Sequence, residues 1–188
     1  MKNLFEKILL QINLKNISYF NNNSILICFA GIPCSGKTRL AKKIEKKYKG
    51  IRINSDQIRK ILSRFIKENE KREKIVREFL IKFLKDFPFK NKFVILDSGI
   101  ERKFNEIKEV AFLAGWKIFI IKIITPKKEI LKRIRKKDPV RFKEHPEDIK
   151  RWFKEYKEFN KRHKSDFIFK KDSDLTRLYS KLDSFIRQ

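Results

Sequence analysis

One segment, Gly31-Ile32-Pro33-Cys34-Ser35-Gly36-Lys37-Thr38, constrains this chain more than any other. It reads G-x-x-x-x-G-K-[ST] between an unbroken apolar run and a helical pattern. The run Ser24–Ala30 has the character of a strand buried on both faces, and residues 38–48 repeat Leu40, Ala41 and Ile44 at helical spacing, with Gly50 as the closing residue. A glycine-bearing loop between such a strand and such a helix gathers backbone amides. Those from Cys34 to Thr38 can wrap a phosphate, because the glycines permit the turn and the helix N-terminus adds the positive end of its dipole. Gly31, Cys34, Ser35, Gly36, Lys37 and Thr38 are therefore the candidate nucleotide-binding residues. Lys37 would reach the outer phosphate oxygens, and the Thr38 hydroxyl would ligate Mg²⁺. The alternative is a turn that binds nothing, but a chance match in a chain of this length is on the order of one per cent at ordinary glycine usage.

The rest of the chain alternates strand and helix patterns. Ile51–Asn54 reads as a second strand, followed by a helix with Ser55 as N-cap and Ile58, Ile61, Leu62 and Phe65 inward. Ile75, Phe79, Leu80, Phe83 and Leu84 mark another helix; residues 93–96 form a third strand ending at Asp97; and a helix through Val110 and Leu113 is ended by Gly115. A fourth strand over 116–124, helices over 127–136 and 146–162, a last strand over 166–169 and a final helix to Ile186 complete the series. This predicts an α/β fold: a five-stranded parallel sheet covered by helices on both faces, with the ligand at the carboxyl ends of the strands. At the N-terminus Leu4, Phe5, Ile8, Leu9 and Ile12 predict an amphipathic helix, and the Asn21-Asn22-Asn23 tract a turn, so residues 1–23 form a helical extension to a domain over 24–188.

Charge narrows the partners. Lys plus Arg number 49 against 23 Asp plus Glu, a net +26, which makes polyanions, nucleic acid first, the favoured partner class. A general bias toward lysine would explain the cations but not the shortage of acids. The 41% apolar content, with 18 Phe, supports a packed core. Two cysteines, Cys28 and Cys34, imply no disulfide framework, and neither a signal-peptide core nor a membrane-spanning apolar run is present, so a cytoplasmic protein without membrane attachment is expected.

Asp97, carried by its strand to the sheet edge beside the phosphate loop, is a candidate Mg²⁺ ligand; the alternative is a turn or N-cap aspartate. Asp56 and Arg59, three apart on one helix face, could serve as proton acceptor and anion contact, or form an exposed ion pair of little energy. Trp152, Phe153, Tyr156 and Phe159 form a stripe that could stack bases, although helical spacing favours core packing. His145 and His163 lack metal-ligand spacing.

The segments GIPCSGKTRLA, INSDQIRK, FVILDSGIERK, AGWKIFIIKI, ILKRIRKK and HPEDIKRWFKEYKEF resemble the ATP-binding P-loop kinases that include 5′-polynucleotide kinases and zeta-toxin-like kinases, over residues 25–159. The resemblance implies a P-loop NTPase fold of the nucleoside-monophosphate-kinase kind with a short helical lid. It implies ATP and Mg²⁺ as cofactors, Asp56 as general base on an acceptor hydroxyl, and Arg59 as contact to an acceptor phosphate. Arg133 becomes the lid arginine that neutralises the moving phosphoryl, with Arg135 or Lys137 as a second lid cation. Together with the charge, the resemblance favours a nucleic acid 5′-hydroxyl as acceptor. A small-molecule kinase and a nucleic-acid-binding NTPase that transfers nothing are the alternatives.

Overall fold

The computed structural model describes residues 2–10, 24–86 and 93–188. Ile12, the Leu4 side chain and the Asn21-Asn22-Asn23 tract lie outside the described residues. Ser24–Ala30, apolar on both faces, can be buried only in the middle of a covered sheet, and as β1 every residue after Ser24 is inaccessible. Parallel strands β3 (Phe93–Gly99) and β4 (Trp116–Ile123) flank it; β2 (Ile51–Asn54) lies outside β3, and β5 (Phe167–Phe169) outside β4. Among the described residues the sheet thus has five parallel strands in the order β2-β3-β1-β4-β5. The chain leaves β1 for the outer β2, returns to β3 and then crosses β1 to β4. The order therefore reverses beside β1, opening a crevice at the carboxyl ends of β1 and β3.

Alternation along β1 feeds two cores. Leu26, Cys28 and Ala30 pack with α1 (Lys2–Leu9), α3 (Ser55–Leu62), α4 (Asn69–Asp86) and α5 (Phe104–Leu113), while Ile25, Ile27 and Phe29 pack with α2 (Lys37–Tyr48) and α9 (Leu175–Arg187). Ile8 carries α1 into the first of these cores. A third, smaller cluster joins Ile32 to Ile130, Ile134 and Ile149, from α6 (Lys127–Lys137) and α8 (Pro146–Arg162), with the short α7 (Pro139–Glu144) between them. This third cluster is the helical lid, and α7 had no sequence signal of its own because none of its residues is buried. Among the described residues no helix is long and apolar enough to cross a membrane.

Three local expectations are corrected. Asn54, not Ser55, caps α3: its Oδ1 accepts the Gln57 N–H at 2.8 Å, and Ser55 is the first helical residue. Phe65 lies beyond the end of α3 and is exposed. The left-handed residue that closes α2 is Lys49, at φ 48°, rather than Gly50. Gly50 is required for a different reason. A Cβ there would sit 2.7 Å from both the Cδ1 and the carbonyl oxygen of Phe93 on the neighbouring strand. Gly50→Ala is therefore expected to cost about 1–3 kcal/mol through overpacking, read as a lower denaturant midpoint at unchanged slope.

Candidate active site

Beyond β1 the backbone enters the left-handed region twice, at Cys34 (φ 67°) and at Gly36 (φ 103°), and the Ser35 N–H closes the turn on the Ile32 carbonyl at 3.0 Å. The loop is held from three sides. Lys37 Nζ reaches back to the carbonyl oxygens of Gly31 (2.5 Å) and Ile32 (2.9 Å), Thr125 Oγ1 donates to the Ser35 carbonyl at 3.0 Å, and Arg133 Nη1 donates to the Cys34 carbonyl at 3.3 Å. Arg133 is itself steadied by Glu129 one turn earlier, at 2.9 Å. Burial pushes the Lys37 ammonium pKa down, and the charges of Glu101, Asp97, Cys34 and Asp56 oppose that shift. Ser35 Oγ is buried in the loop and has no hydrogen-bond partner among the described residues.

The Thr38 hydroxyl donates to Asp97 Oδ1 at 2.9 Å, which brings together the two residues expected to serve Mg²⁺. The register explains the meeting. Leu96 lies opposite Cys28 but Gly99 lies opposite Phe29, so Asp97 and Ser98 form a bulge against β1, while Asp97 keeps its place opposite Asn54 of β2. Asp97 Oδ2 accepts from Arg52 Nη1 at 2.8 Å and from Asn54 Nδ2, and Arg52 Nε is held by Glu45 at 2.6 Å. Only 1% of the Asp97 side chain is exposed, so its carboxylate depends on these donors rather than on water. Asp97 caps no helix. Two neighbouring oxygens suit Mg²⁺, which keeps waters and phosphate oxygens as its other ligands. Among the described residues no group of three or more His, Cys, Asp or Glu forms a metal cage.

Across the crevice Asp56 stands exposed in the first turn of α3 and accepts from Arg59 Nη1 at 2.6 Å. The rest of the guanidinium is taken by Glu73 of α4, which accepts from Nε at 2.5 Å and from Nη2 at 3.1 Å. The loop after β3 closes the site. Glu101 Oε1 accepts the Gly31 N–H at 2.6 Å, and Lys103 Nζ donates to Ser98 Oγ at 2.9 Å. Burial pushes the Glu101 carboxyl up, against the pull of Lys37, and pushes the Lys103 ammonium down to about 8. Arg52, Asn54, Glu73, Glu101, Lys103 and Thr125 were not singled out in the sequence. Glu101 and Lys103 carried a usable signal, because they follow Asp97 in a loop at the ligand edge.

The lid cations divide. Arg133 faces the phosphate loop, Arg135 lies over the Phe142 ring at 5.9 Å, and Lys137 is exposed at the end of α6. The aromatic stripe of α8 packs inward, as its spacing suggested. Phe159 is buried in the first core, Trp152, Phe153 and Tyr156 lean on the lid cluster, and Tyr156 Oη donates to the Ile123 carbonyl at 2.9 Å. His163 forms a three-ring cluster with Phe104 and Phe159, whose own rings are 5.3 Å apart.

The family model described as AAA domain matches residues 26–158. No curated protein matches the chain. Among solved structures, it resembles the Mycobacterium tuberculosis APS kinase CysC in complex with AMPPNP and APS, at 14% identity and TM-score 0.59 over 86% of this chain and 98% of that one. A shikimate kinase from Bacteroides thetaiotaomicron aligns at 18% identity and TM-score 0.59, over 85% and 98% of the two chains. Deoxyadenosine kinase from M. mycoides aligns at 18% identity and TM-score 0.57, over 86% and 100%. At such identities the likeness is one of fold: the five-stranded parallel sheet with its helices is that of P-loop kinases.

Proposed function

This chain belongs to the AAA domain family, a family of P-loop kinases, and from that premise we propose that it transfers the γ-phosphoryl group of ATP to the 5′-hydroxyl of a nucleic acid. The observation that carries the kinase reading is the Thr38–Asp97 hydrogen bond beside the Lys37-bearing loop, with Asp56 exposed in the first turn of α3. The parts then have separate tasks. The loop from Gly31 to Thr38 holds the phosphates, and Lys37 and Arg133 meet the charge that develops on the moving phosphoryl. Asp56 takes the proton of the attacking hydroxyl, and Arg59 orients the acceptor. Thr38 and Asp97 would hold Mg²⁺, which would supply positive charge against the phosphates.

The nucleic acid acceptor rests on the net charge of +26, a field that draws polyanions from solution. A small-molecule acceptor is the second reading, favoured by structural neighbours whose named ligands include APS and shikimate. A cytoplasmic location, where ATP and nucleic acid meet and both cysteines remain reduced, belongs to the same proposal.

Incubation with γ-labelled ATP and Mg²⁺ against 5′-hydroxyl DNA, 5′-hydroxyl RNA and a pool of small metabolites decides among these readings. Label on an oligonucleotide end supports the proposal, label only in the small pool moves the acceptor there, and phosphate release without a labelled acceptor leaves an NTPase. Asp56→Ala is expected to slow transfer by about 10²–10⁴-fold. Because Asp56 is exposed, stability should move by less than about 0.5 kcal/mol, and ATP affinity should be unchanged by calorimetry. Wild-type turnover in that variant would remove Asp56 as the base.

A further inference from the structure

Gly31, the first residue of the phosphate loop, is gripped at both of its polar atoms by side chains of opposite charge. Its carbonyl takes the Lys37 ammonium at 2.5 Å, and its N–H donates to Glu101 Oε1 at 2.6 Å. Glu101 belongs to the loop after β3, and that loop fixes its place from both sides. The buried Ile100 donates its N–H to the Phe29 carbonyl of β1 at 3.3 Å, the Lys103 N–H closes a turn on the Ile100 carbonyl at 3.0 Å, and Arg102 Nε meets Glu155 of α8 at 2.8 Å. The second carboxylate oxygen, Oε2, lies 2.5 Å from where a Cβ on Gly99 would stand. The backbone at Gly99 is not left-handed, so the seat of the Glu101 carboxylate is what leaves no room for a side chain there. This grip bears on the nucleotide through Lys37. A phosphate in the loop would draw the ammonium off the Gly31 and Ile32 carbonyls, whereas the bond from the Gly31 N–H to Glu101 needs no help from Lys37.

We propose that Glu101 is a positioning residue for the nucleotide: it anchors the start of the phosphate loop, so that the loop keeps its shape when Lys37 leaves the Gly31 carbonyl for a phosphate oxygen. Gly99 is glycine to make room for that anchor. Glu101 acts through Gly31 and touches no phosphate. The anchor serves nucleotide binding whether or not a hydroxyl then accepts the phosphoryl group; only its effect on transfer rests on the kinase reading.

The test is calorimetric titration of AMPPNP with Mg²⁺ into the full chain, as wild type, Glu101→Ala, Glu101→Gln, Gly99→Ala and the double variant Gly99→Ala/Glu101→Ala, with a thermal melt to show that each is folded. Glu101→Ala should weaken AMPPNP by about tenfold or more, and Glu101→Gln, which keeps an acceptor oxygen for the Gly31 N–H, should stay within about threefold of wild type. Gly99→Ala should weaken AMPPNP about as much as Glu101→Ala does, because the new methyl group is accommodated by moving the carboxylate off Gly31. The double variant should be no more than about twofold weaker than Glu101→Ala, since the group that the methyl displaces is gone. Wild-type affinity in folded Glu101→Ala, or full additivity of the two substitutions, overturns the anchor. Should Glu101→Ala fail to fold, Gly99→Ala decides alone, and wild-type affinity there refutes the proposal. Label transfer from γ-labelled ATP, followed on the same variants, separates the two readings. Affinities that move as expected in a protein that labels no hydroxyl refute the kinase reading and leave the anchor; transfer with unmoved affinities does the reverse.

Discussion

A Lys37→Met protein is expected to transfer phosphate about 10²–10³-fold more slowly than wild type while melting no lower. The rate loss follows from position. Lys37 is the half-buried cation folded over the loop, bonded to the Gly31 and Ile32 carbonyls, and a phosphoryl group held by that loop would take the ammonium in their place. The absence of a stability loss follows from burial, which disfavours the charged ammonium more strongly than Glu101, Asp97, Cys34 and Asp56 together favour it, so its pKa falls. Methionine keeps the length and apolar stem while removing the buried charge. The two measurements are steady-state transfer from labelled ATP and a thermal melt at neutral pH. A variant that melts well below wild type would make Lys37 a clamp on the loop rather than a group reserved for phosphate.

Much of this arrangement was legible in the residues, and what was not has a physical explanation. A strand covered on both faces must be apolar throughout, so β1 and β3 declared themselves, and the phosphate loop was fixed by its place between β1 and α2. Helices with buried stripes, α4 and α8 above all, were visible for the same reason, whereas α7 buries nothing and left no periodicity. Asp97 could be placed at the sheet edge by its strand, but its partners could not be foreseen. Arg52 alternates with buried Ile51 and Ile53 and reads as one more basic surface residue among 49, although only 12% of its side chain is exposed. Lys103 was hidden in the same crowd. Glu73 lies 14 residues from Arg59 on a different helix, and a pairing set by the packing of α3 on α4 has no local signature. Asn54 was passed over because its two tasks, capping α3 with Oδ1 and holding Asp97 with Nδ2, belong to different length scales, and the cap was assigned to the adjacent serine.

The four-way junction at Asp97 sets the second large effect. Asp97→Ala should lower stability by about 3–5 kcal/mol, because it removes one carboxylate and leaves three donors behind: Thr38 Oγ1, Arg52 Nη1 and Asn54 Nδ2, the last two in nearly dry surroundings. Glu45 would still hold Arg52 Nε, so the charge would be half compensated, and the expected result is a folded protein with a much reduced denaturant midpoint. Asp97→Asn separates structure from chemistry. The amide keeps shape and one acceptor oxygen, so the stability cost should fall to about 1–3 kcal/mol, yet it turns an NH₂ group toward a donor on one side. On the Thr38 side this removes the anion that orients the hydroxyl, and the Mg²⁺ concentration for half-maximal transfer should rise by about 10- to 100-fold. Titrating Mg²⁺ in the folded Asp97→Asn protein reads that difference directly. A wild-type Mg²⁺ dependence there would make Asp97 a buttress between β2 and β3 with no part in the chemistry, whereas the expected rise, with ATP affinity retained in the absence of metal, would show that one buried carboxylate ties the sheet edge to the phosphate site.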